Sequence, residues 1–215
     1  MTYQIMQHCH VDEASRVHAQ AMVHNPILRS IGMTSQDYLA DSKAMCQVTA
    51  EHGLGCIAKD TSDRIVGVCI AYPLDIAGQA HNCVQRDQRS REINYLWDAL
   101  NNLLETALWY RYGDPKRMFC LDDVSVLKTA SGLGVGYLTP EFTNTLALRR
   151  GFTHNVGVVM NDIILQDLQA RTGLKVIQSV DISQITKDGR KIFQDIIDKG
   201  TYFRLCLVTL NPGKL

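Results

Sequence analysis

A six-residue segment in the second half of the chain has the composition of a phosphate-binding turn. Ser131-Gly132-Leu133-Gly134-Val135-Gly136 carries three glycines at alternate positions, between an apolar run and a helical pattern. Glycine has no Cβ, so its backbone can approach a ligand closely. A helix N-terminus adds unpaired N–H groups and a partial positive charge. The turn therefore predicts a cradle for a phosphate or diphosphate that needs no lysine.

The flanks of this turn predict a strand before it and a helix after it. The apolar run Phe119–Leu121 continues to Val124 and Val126. After the turn, apolar residues recur at intervals of four, at Leu138, Phe142 and Leu146. Proline is tolerated in the first turn of a helix but not in its interior. Pro140 therefore predicts that the regular helix starts near Tyr137 or bends there.

Two common nucleotide-binding motifs do not fit the turn. A P-loop requires Gly-Lys-Ser/Thr, whereas Gly136 is followed by Tyr137 and Leu138. A Rossmann turn has the spacing G-x-G-x-x-G in an early βαβ unit, whereas this turn is G-x-G-x-G and lies late in the chain. An ordinary flexible turn without a ligand stays open as an alternative, and the rest of the chain must decide.

Composition excludes several classes of protein. The 215 residues contain 22 Lys plus Arg and 22 Asp plus Glu, so the net charge is zero and gives no argument for nucleic acid or an anionic membrane as the main partner. The seven cysteines are scattered and odd in number, which favours reduced thiols in a cytoplasmic protein. The N-terminal residues are too polar for a signal peptide, and the apolar run Ile65–Leu74 is too short to span a membrane.

Four histidines near the N-terminus raise the question of a metal site. His8, His10, His18 and His24 follow no spacing known for metal ligands, and no cysteine or carboxylate pairs with them at a standard interval. We therefore expect no metal, and we expect these histidines to lie at the surface or to cap helices.

The remaining pattern predicts alternating strands and helices in one domain of residues 1–215. We expect a hairpin at Cys56–Lys59 and Arg64–Tyr72, with the second strand buried on both faces. Further strands are expected at Tyr3–Met6, Val156–Met160, Val176–Ile182 and Thr201–Leu210. Helices are expected from Asp12 to near Asn25-Pro26, from Ser35 to Gly53-Leu54-Gly55, at Arg91–Arg111, and through Ile164, Leu165 and Leu168 to Gly173. We expect a loop at Asp75–Ser90 and a largely helical or irregular segment at Ile185–Lys199.

The order of elements and three short motifs resemble the GCN5-related N-acetyltransferases. That family has Arg/Gln-x-x-Gly-x-Gly/Ala after its central strand, and Gly134 and Gly136 fall on the two small positions. The hairpin matches its second and third strands, while Asn161 and Gly173 match its second conserved block. Ser131 departs from the family's Arg or Gln. The resemblance covers nearly the whole chain and is closest in layout to the insect-type arylalkylamine N-acetyltransferases.

The resemblance implies a fold and a co-substrate. The fold would be α/β (α+β), with a mixed, mostly antiparallel sheet of six to seven strands that splays at its middle and has helices on both faces. Acetyl-CoA would be the co-substrate, and a backbone N–H of Val124 or Val126 would polarise its carbonyl. The residues implied to contact it are Val124, Ser125, Val126, Ser131, Gly132, Leu133, Gly134, Val135, Gly136, Tyr137 and Asn161.

The family's usual base and acid are missing. The Asp-Glu-Pro of the insect-type enzymes is replaced by His24-Asn25-Pro26, Gln169 stands in place of the family's tyrosine acid, and Ile163–Arg171 lacks their serine. Asp122 and Asp123 at the mouth of the central strand are the best substitute bases, with His24 as a weaker one. Side chains alternate along a strand, so we expect only one aspartate to face the cleft. A role as capping or rim carboxylates stays open.

Two functions follow from these expectations. The first is transfer of an acetyl group from acetyl-CoA to the primary amine of a small molecule, by direct attack in a ternary complex. The second is a CoA-binding protein of the same fold with little or no catalysis, acting as a sensor or interaction module. Neither involves nucleic acid or a membrane, and the protein would be a monomer or a homodimer.

Overall fold

The computed structural model describes residues 1–30, 32–77, 79, 84, 91–103, 109–187, 189–191, 193 and 202–211. Its helices are α1 (Val11–Met22), α2 (Pro26–Ser30), α3 (Ser35–His52), α4 (Arg91–Leu103), α5 (Val135–Arg149) and α6 (Asp162–Thr172). Its strands are β1 (Thr2–Ile5), β2 (Cys56–Lys59), β3 (Ile65–Pro73), β4 (Met118–Val126), β5 (His154–Val159), β6 (Lys175–Asp181), β7 (Thr186–Lys187), β8 (Arg190–Lys191) and β9 (Tyr202–Thr209).

Seven strands form one open sheet in the order β1-β2-β3-β4-β5-β9-β6. The β4–β5 pair is parallel, and the other five pairs in this sheet are antiparallel. The predicted mixed, mostly antiparallel sheet is therefore confirmed. β7 and β8 form a separate two-stranded ribbon.

Helices cover both faces of the sheet, as predicted. On one face α1 and α3 enclose the main core, which contains Val17, Tyr38 and Tyr72. On the other face α5 packs over β3 and β4, and Ala147 contacts a cluster that includes Ala71 and Phe119. The first eight residues of β3 are all buried, which confirms the prediction for that strand.

Helix boundaries follow local sequence signals. Thr34 caps α3 by accepting a hydrogen bond from the N–H of Asp37, and Gly53 ends the helix in the left-handed conformation at φ 59°. Asn161 caps α6 by accepting from Ile163 N and Ile164 N, and Gly173 ends it at φ 69°.

Some predictions about helices and strands need correction, and others concern segments outside the described residues. α5 begins at Val135, two residues before the start predicted near Tyr137, so Pro140 lies in its second turn and not in its first. α2 was not predicted, and the described part of 185–199 contains the short strands β7 and β8. The predicted loop 75–90 and the C-terminal part of the helix predicted at 91–111 lie largely outside the described residues.

Candidate active site

The sheet splays between its two parallel strands. β4 and β5 pair only at Met118–His154, Phe119–Asn155 and Cys120–Val156, although both strands continue further. At the end of the ladder Gly157 lies against β4 so closely that a Cβ there would be 2.7 Å from the carbonyl oxygen of Leu121. From Leu121 to Val126, β4 therefore has no strand partner on this edge among the described residues, as the family resemblance implied.

The open edge of β4 presents backbone N–H groups. On its other edge β4 pairs with β3, and the next residue, Leu127, donates its N–H to Val66 O at 2.9 Å. Successive N–H groups of a strand point to opposite edges. The amides of Val124 and Val126 therefore point toward the splay, where they can polarise a carbonyl group.

A β-bulge places both aspartates on one face of the sheet. Ile70 pairs with Asp123 and Ala71 pairs with Leu121, so Asp122 is an extra residue in β4. The bulge interrupts the alternation of side chains. Asp122 and Asp123 both contact groups beneath α1 and α3, and the prediction that only one would face this side is wrong.

Asp123 belongs to a chain of three side chains. Asp123 Oδ2 lies 3.1 Å from Nε2 of His18 in α1, and Nδ1 of the same ring lies 2.9 Å from Oγ of Ser42 in α3. His18 and Ser42 are fully buried, whereas the Asp123 side chain is 21% exposed. The expectation of surface or capping histidines is wrong for His18.

Asp122 is held by a buried phenol. The hydroxyl of Tyr72 donates to Asp122 Oδ2 at 2.6 Å. Burial, reinforced by the charge of Asp122, raises the pKa of Tyr72 well above its ordinary value, so the hydroxyl stays protonated and remains the donor. Burial beside Asp122 likewise raises the pKa of the Cys120 thiol.

The glycine-rich turn forms a cradle of backbone amides next to the splay. Gly132 and Gly134 have φ of 78° and 77°, a conformation that strains residues with a side chain, and Gly134 immediately precedes α5. Tyr137 and Leu138 donate their N–H groups to Gly134 O, whereas those of Val135 and Gly136 have no hydrogen bond within the described chain. They lie beside the open end of β4, since a Cβ on Gly136 would be 3.6 Å from Val126.

The side chain of Val135 anchors this cradle to the sheet. Val135 is buried against Ala58, Val66 and Ala130. Gly67 of β3 lies directly beneath it, and a Cβ on Gly67 would be only 2.4 Å from Val135 Cγ1. The N-terminus of α5 is thus fixed by close contact between a helix and a strand.

The other residues implied to contact a cofactor lie in different environments. Ser125 is buried, and its hydroxyl has no hydrogen-bond partner among the described residues. Ser131 and Leu133 are exposed on the cradle, and the ring of Tyr137 lies 4.5 Å beneath the guanidinium of Arg171. The side-chain oxygen of Asn161 is engaged in capping α6.

Of the N-terminal histidines, His18 and not His24 lies beside an aspartate of β4. His24 is exposed in the turn after α1, and the described chain shows no contact between it and either aspartate. His18 follows Ala14 by four residues, so it lies on the apolar stripe of α1, and that spacing could have indicated its burial.

The described residues provide neither a metal-binding cluster nor a membrane-spanning helix. They contain no group of three or more potential metal ligands close enough to hold an ion. None of their helices has the length and apolarity needed to cross a bilayer.

Comparison with solved structures identifies the fold. Mosquito arylalkylamine N-acetyltransferase like 5b is 17% identical, with 97% of this chain and 99% of that chain covered at a TM-score of 0.78. The C-terminal condensation domain of Ebony, in complex with β-alanyl-dopamine, is 14% identical over 97% and 98% at 0.78. Drosophila melanogaster polyamine N-acetyltransferase is 12% identical over 98% and 99% at 0.75. No family model and no curated sequence matches the chain. The chain has the GCN5-related N-acetyltransferase fold that its sequence resembles.

Proposed function

We propose that this protein is an N-acetyltransferase that moves the acetyl group of acetyl-CoA to the primary amine of a small molecule, within one domain of residues 1–215. The observation that carries the proposal is that three features lie close together beside β4. The splay opens beside β4, and Asp122 and Asp123 lie on the bulge within it. At its end lie the amides of Val135 and Gly136, which have no hydrogen bond among the described residues. The structures similar to this chain include a polyamine N-acetyltransferase that forms N-acetylagmatine.

The amide cradle would bind the diphosphate of coenzyme A. Backbone N–H groups at a helix N-terminus suit a diphosphate because they donate hydrogen bonds and add the positive end of the helix dipole. The thioester would then extend into the splay, where the N–H of Val124 or Val126 polarises its carbonyl. Ser131 supplies no guanidinium, so binding rests on the main chain.

The reaction needs three proton transfers. The substrate ammonium first gives a proton to Asp123 or Asp122, and the free amine attacks the thioester carbon. The C–S bond then breaks with its electron pair on sulfur, the nitrogen gives its second proton to solvent, and the thiolate takes up a proton. The products are the N-acetylated amine and free coenzyme A. Gln169 is exposed on α6 and cannot act as the acid of this last step, so solvent would supply that proton.

The proposed compartment is the cytoplasm. All six cysteines described by the structure are free, and five of them are buried. Free thiols suit a reducing environment, in which coenzyme A also carries its thiol unoxidised.

The experiment that tests the proposal compares aspartate and asparagine in the cradle. Gly134→Asp/Gly136→Asp adds negative charge where the diphosphate would lie, and Gly134→Asn/Gly136→Asn is its matched control of equal size. Aspartate and asparagine both tolerate positive φ better than most other residues with a side chain. We expect isothermal titration to show micromolar binding of acetyl-CoA to the parent, and binding by the aspartate variant weakened at least tenfold more than by the asparagine variant.

Turnover is measured separately by thiol release over a panel of arylalkylamines, agmatine and polyamines. An aspartate variant that is folded and binds as tightly as its asparagine control would contradict the cradle. Binding by the parent without turnover of any amine would favour the CoA-binding protein over the enzyme. A parent that does not bind acetyl-CoA would remove both functions.

A further inference from the structure

A buried histidine contacts Asp123, one of the two carboxylates that can serve as the base in the proposed reaction. We infer that His18 is a positioning residue that orients Asp123 to accept the amine proton, and that Ser42 fixes the His18 ring. This inference rests on the proposed function. It assigns a role to one residue of α1 and one of α3 that the sequence motifs leave unassigned.

The surroundings of the His18 ring hold it in place. His18 is fully buried, and each of its ring nitrogens has a polar partner. The ring of Tyr38 packs beside it, with centroids 5.9 Å apart. A buried ring with both nitrogens hydrogen-bonded cannot turn without leaving a polar atom unpaired, which is costly. His18 is therefore held in one orientation.

The partners of the two ring nitrogens of His18 determine which nitrogen carries a hydrogen. An ionised carboxylate only accepts hydrogen bonds, so Nε2 of His18 carries a hydrogen toward Asp123. In the neutral ring Nδ1 then accepts, and the hydroxyl of Ser42 is its donor. A serine hydroxyl can also accept, so this contact survives if the ring gains a proton. Ser42 therefore selects the orientation of His18 in either state of the ring.

The contact with His18 engages one of the two carboxylate oxygens of Asp123. Its Oδ2 is engaged by His18, whereas Oδ1 has no hydrogen bond within the described chain. The side chain is 21% exposed and lies next to the bulge at Asp122. The contact joins α1 to β4 across 105 positions of sequence, so it fixes the carboxylate relative to the helix layer. One oxygen is thus held while the other remains available to an amine, which is the geometry that a general base requires.

Steady-state kinetics of three variants test the role, with acetyl-CoA and the panel amine that gives the highest turnover. We expect His18→Ala to lower kcat about tenfold or more, as part of the contribution of a well-placed base. Its KM and calorimetric Kd for acetyl-CoA should stay within about twofold of the parent, because the cradle lies elsewhere. His18→Gln keeps an N–H donor near the position of Nε2 and should restore most of kcat. Val17→Ala, a neighbouring buried truncation in α1, controls for loss of packing and should retain kcat.

A double variant distinguishes positioning from general damage. If His18 acts through Asp123, then adding His18→Ala to Asp123→Asn should lower kcat no further than about twofold. A loss by the same factor in both backgrounds would overturn the inference, as would an unchanged kcat in His18→Ala.

Nitrogen NMR of histidine-labelled protein gives a readout independent of turnover. The resonances of His18, assigned by their absence in His18→Gln, should show a hydrogen on Nε2. An Nε2 without hydrogen would overturn the inference while leaving the proposed function standing. A parent that binds acetyl-CoA but acetylates no amine would overturn the enzymatic function and this role together.

Discussion

A single methyl group added at Gly67 of β3 should displace the amide cradle at the start of α5, although Gly67 is not part of that cradle. The glycine pairs with Ala58 on β2 and Val126 on β4, and it faces α5. A Cβ at this position would lie 2.4 Å from Val135 Cγ1 and 3.3 Å from Ala58 Cβ. Gly67 is not among the residues with positive φ, so alanine brings no backbone strain there. The effect of Gly67→Ala is therefore a packing effect.

The magnitude follows from the contact distance. Carbon atoms at rest are about 3.5–4.0 Å apart, so Val135 must retreat by about 1 Å or more. A valine in a helix has one strongly preferred rotamer, and Val135 is 1% exposed, so the retreat moves the first turn of α5. Overpacking of this kind costs about 1–3 kcal/mol. Displacement of the Val135 and Gly136 amides should also weaken acetyl-CoA binding, by about tenfold for each 1.4 kcal/mol of lost interaction.

Urea unfolding and calorimetric titration with acetyl-CoA measure the two effects. Val135→Ala removes the clashing methyl groups, and alone it should cost about 1.5 kcal/mol for two buried carbons. In the Gly67→Ala/Val135→Ala protein the added methyl occupies the vacated space, so its loss of stability should be smaller than the sum of the single losses. Additivity within about 0.5 kcal/mol would refute the reasoning. So would a Gly67→Ala protein with parental stability.

Three further predictions concern the carboxylates, alkaline stability and a helix cap. Asp123→Asn should lower kcat by about 10²-fold or more with acetyl-CoA affinity unchanged, and a protein with asparagine at both Asp122 and Asp123 that turns over at the parental rate would remove the base assignment. Burial raises the folded-state pKa of Tyr72, and that of Cys46 to about 12. The unfolded chain loses these protons at lower pH, near pH 10 and 8.5. These two groups should therefore leave the free energy of unfolding unchanged below about pH 8 and lower it as pH rises further, by about 1.4 kcal/mol per pH unit for each group. Tyr72→Phe should show a shallower fall above about pH 10 in urea unfolding, and parallel curves would count against this account. Asn161→Ala should cost about 1 kcal/mol of stability, and a calorimetric Kd for acetyl-CoA equal to the parent's would assign Asn161 to capping alone.

Periodicity and turn signals were enough to predict most of the elements. The hairpin of β2 and β3, the helix after Ser35 and the strand–turn–helix around Gly134 are where their patterns place them. These signals are local, because a cap, a glycine at positive φ and a run of apolar residues each act within a few positions.

The bulge at Asp122 could not be predicted in this way. It depends on the register between β3 and β4, which is set by packing across the sheet rather than by the residues of β4 alone. The contact between His18 and Asp123 joins residues 105 positions apart, and no local pattern reports on it. Pro140 lies deeper in α5 than expected for a related reason: packing of Val135 on Gly67 fixes the start of the helix at Val135, two residues before Tyr137.

The short ladder between β4 and β5 divides the sheet into two mechanical units. β1 to β4 form one unit and β5, β9 and β6 form the other. Among the described residues, three residue pairs between β4 and β5 join the two units within the sheet. A molecule wedged between the two strands would act as a brace. We therefore expect amide hydrogen exchange in β3 and β9 to proceed by separate opening events in the free protein, and by a single, slower event when the gap is filled.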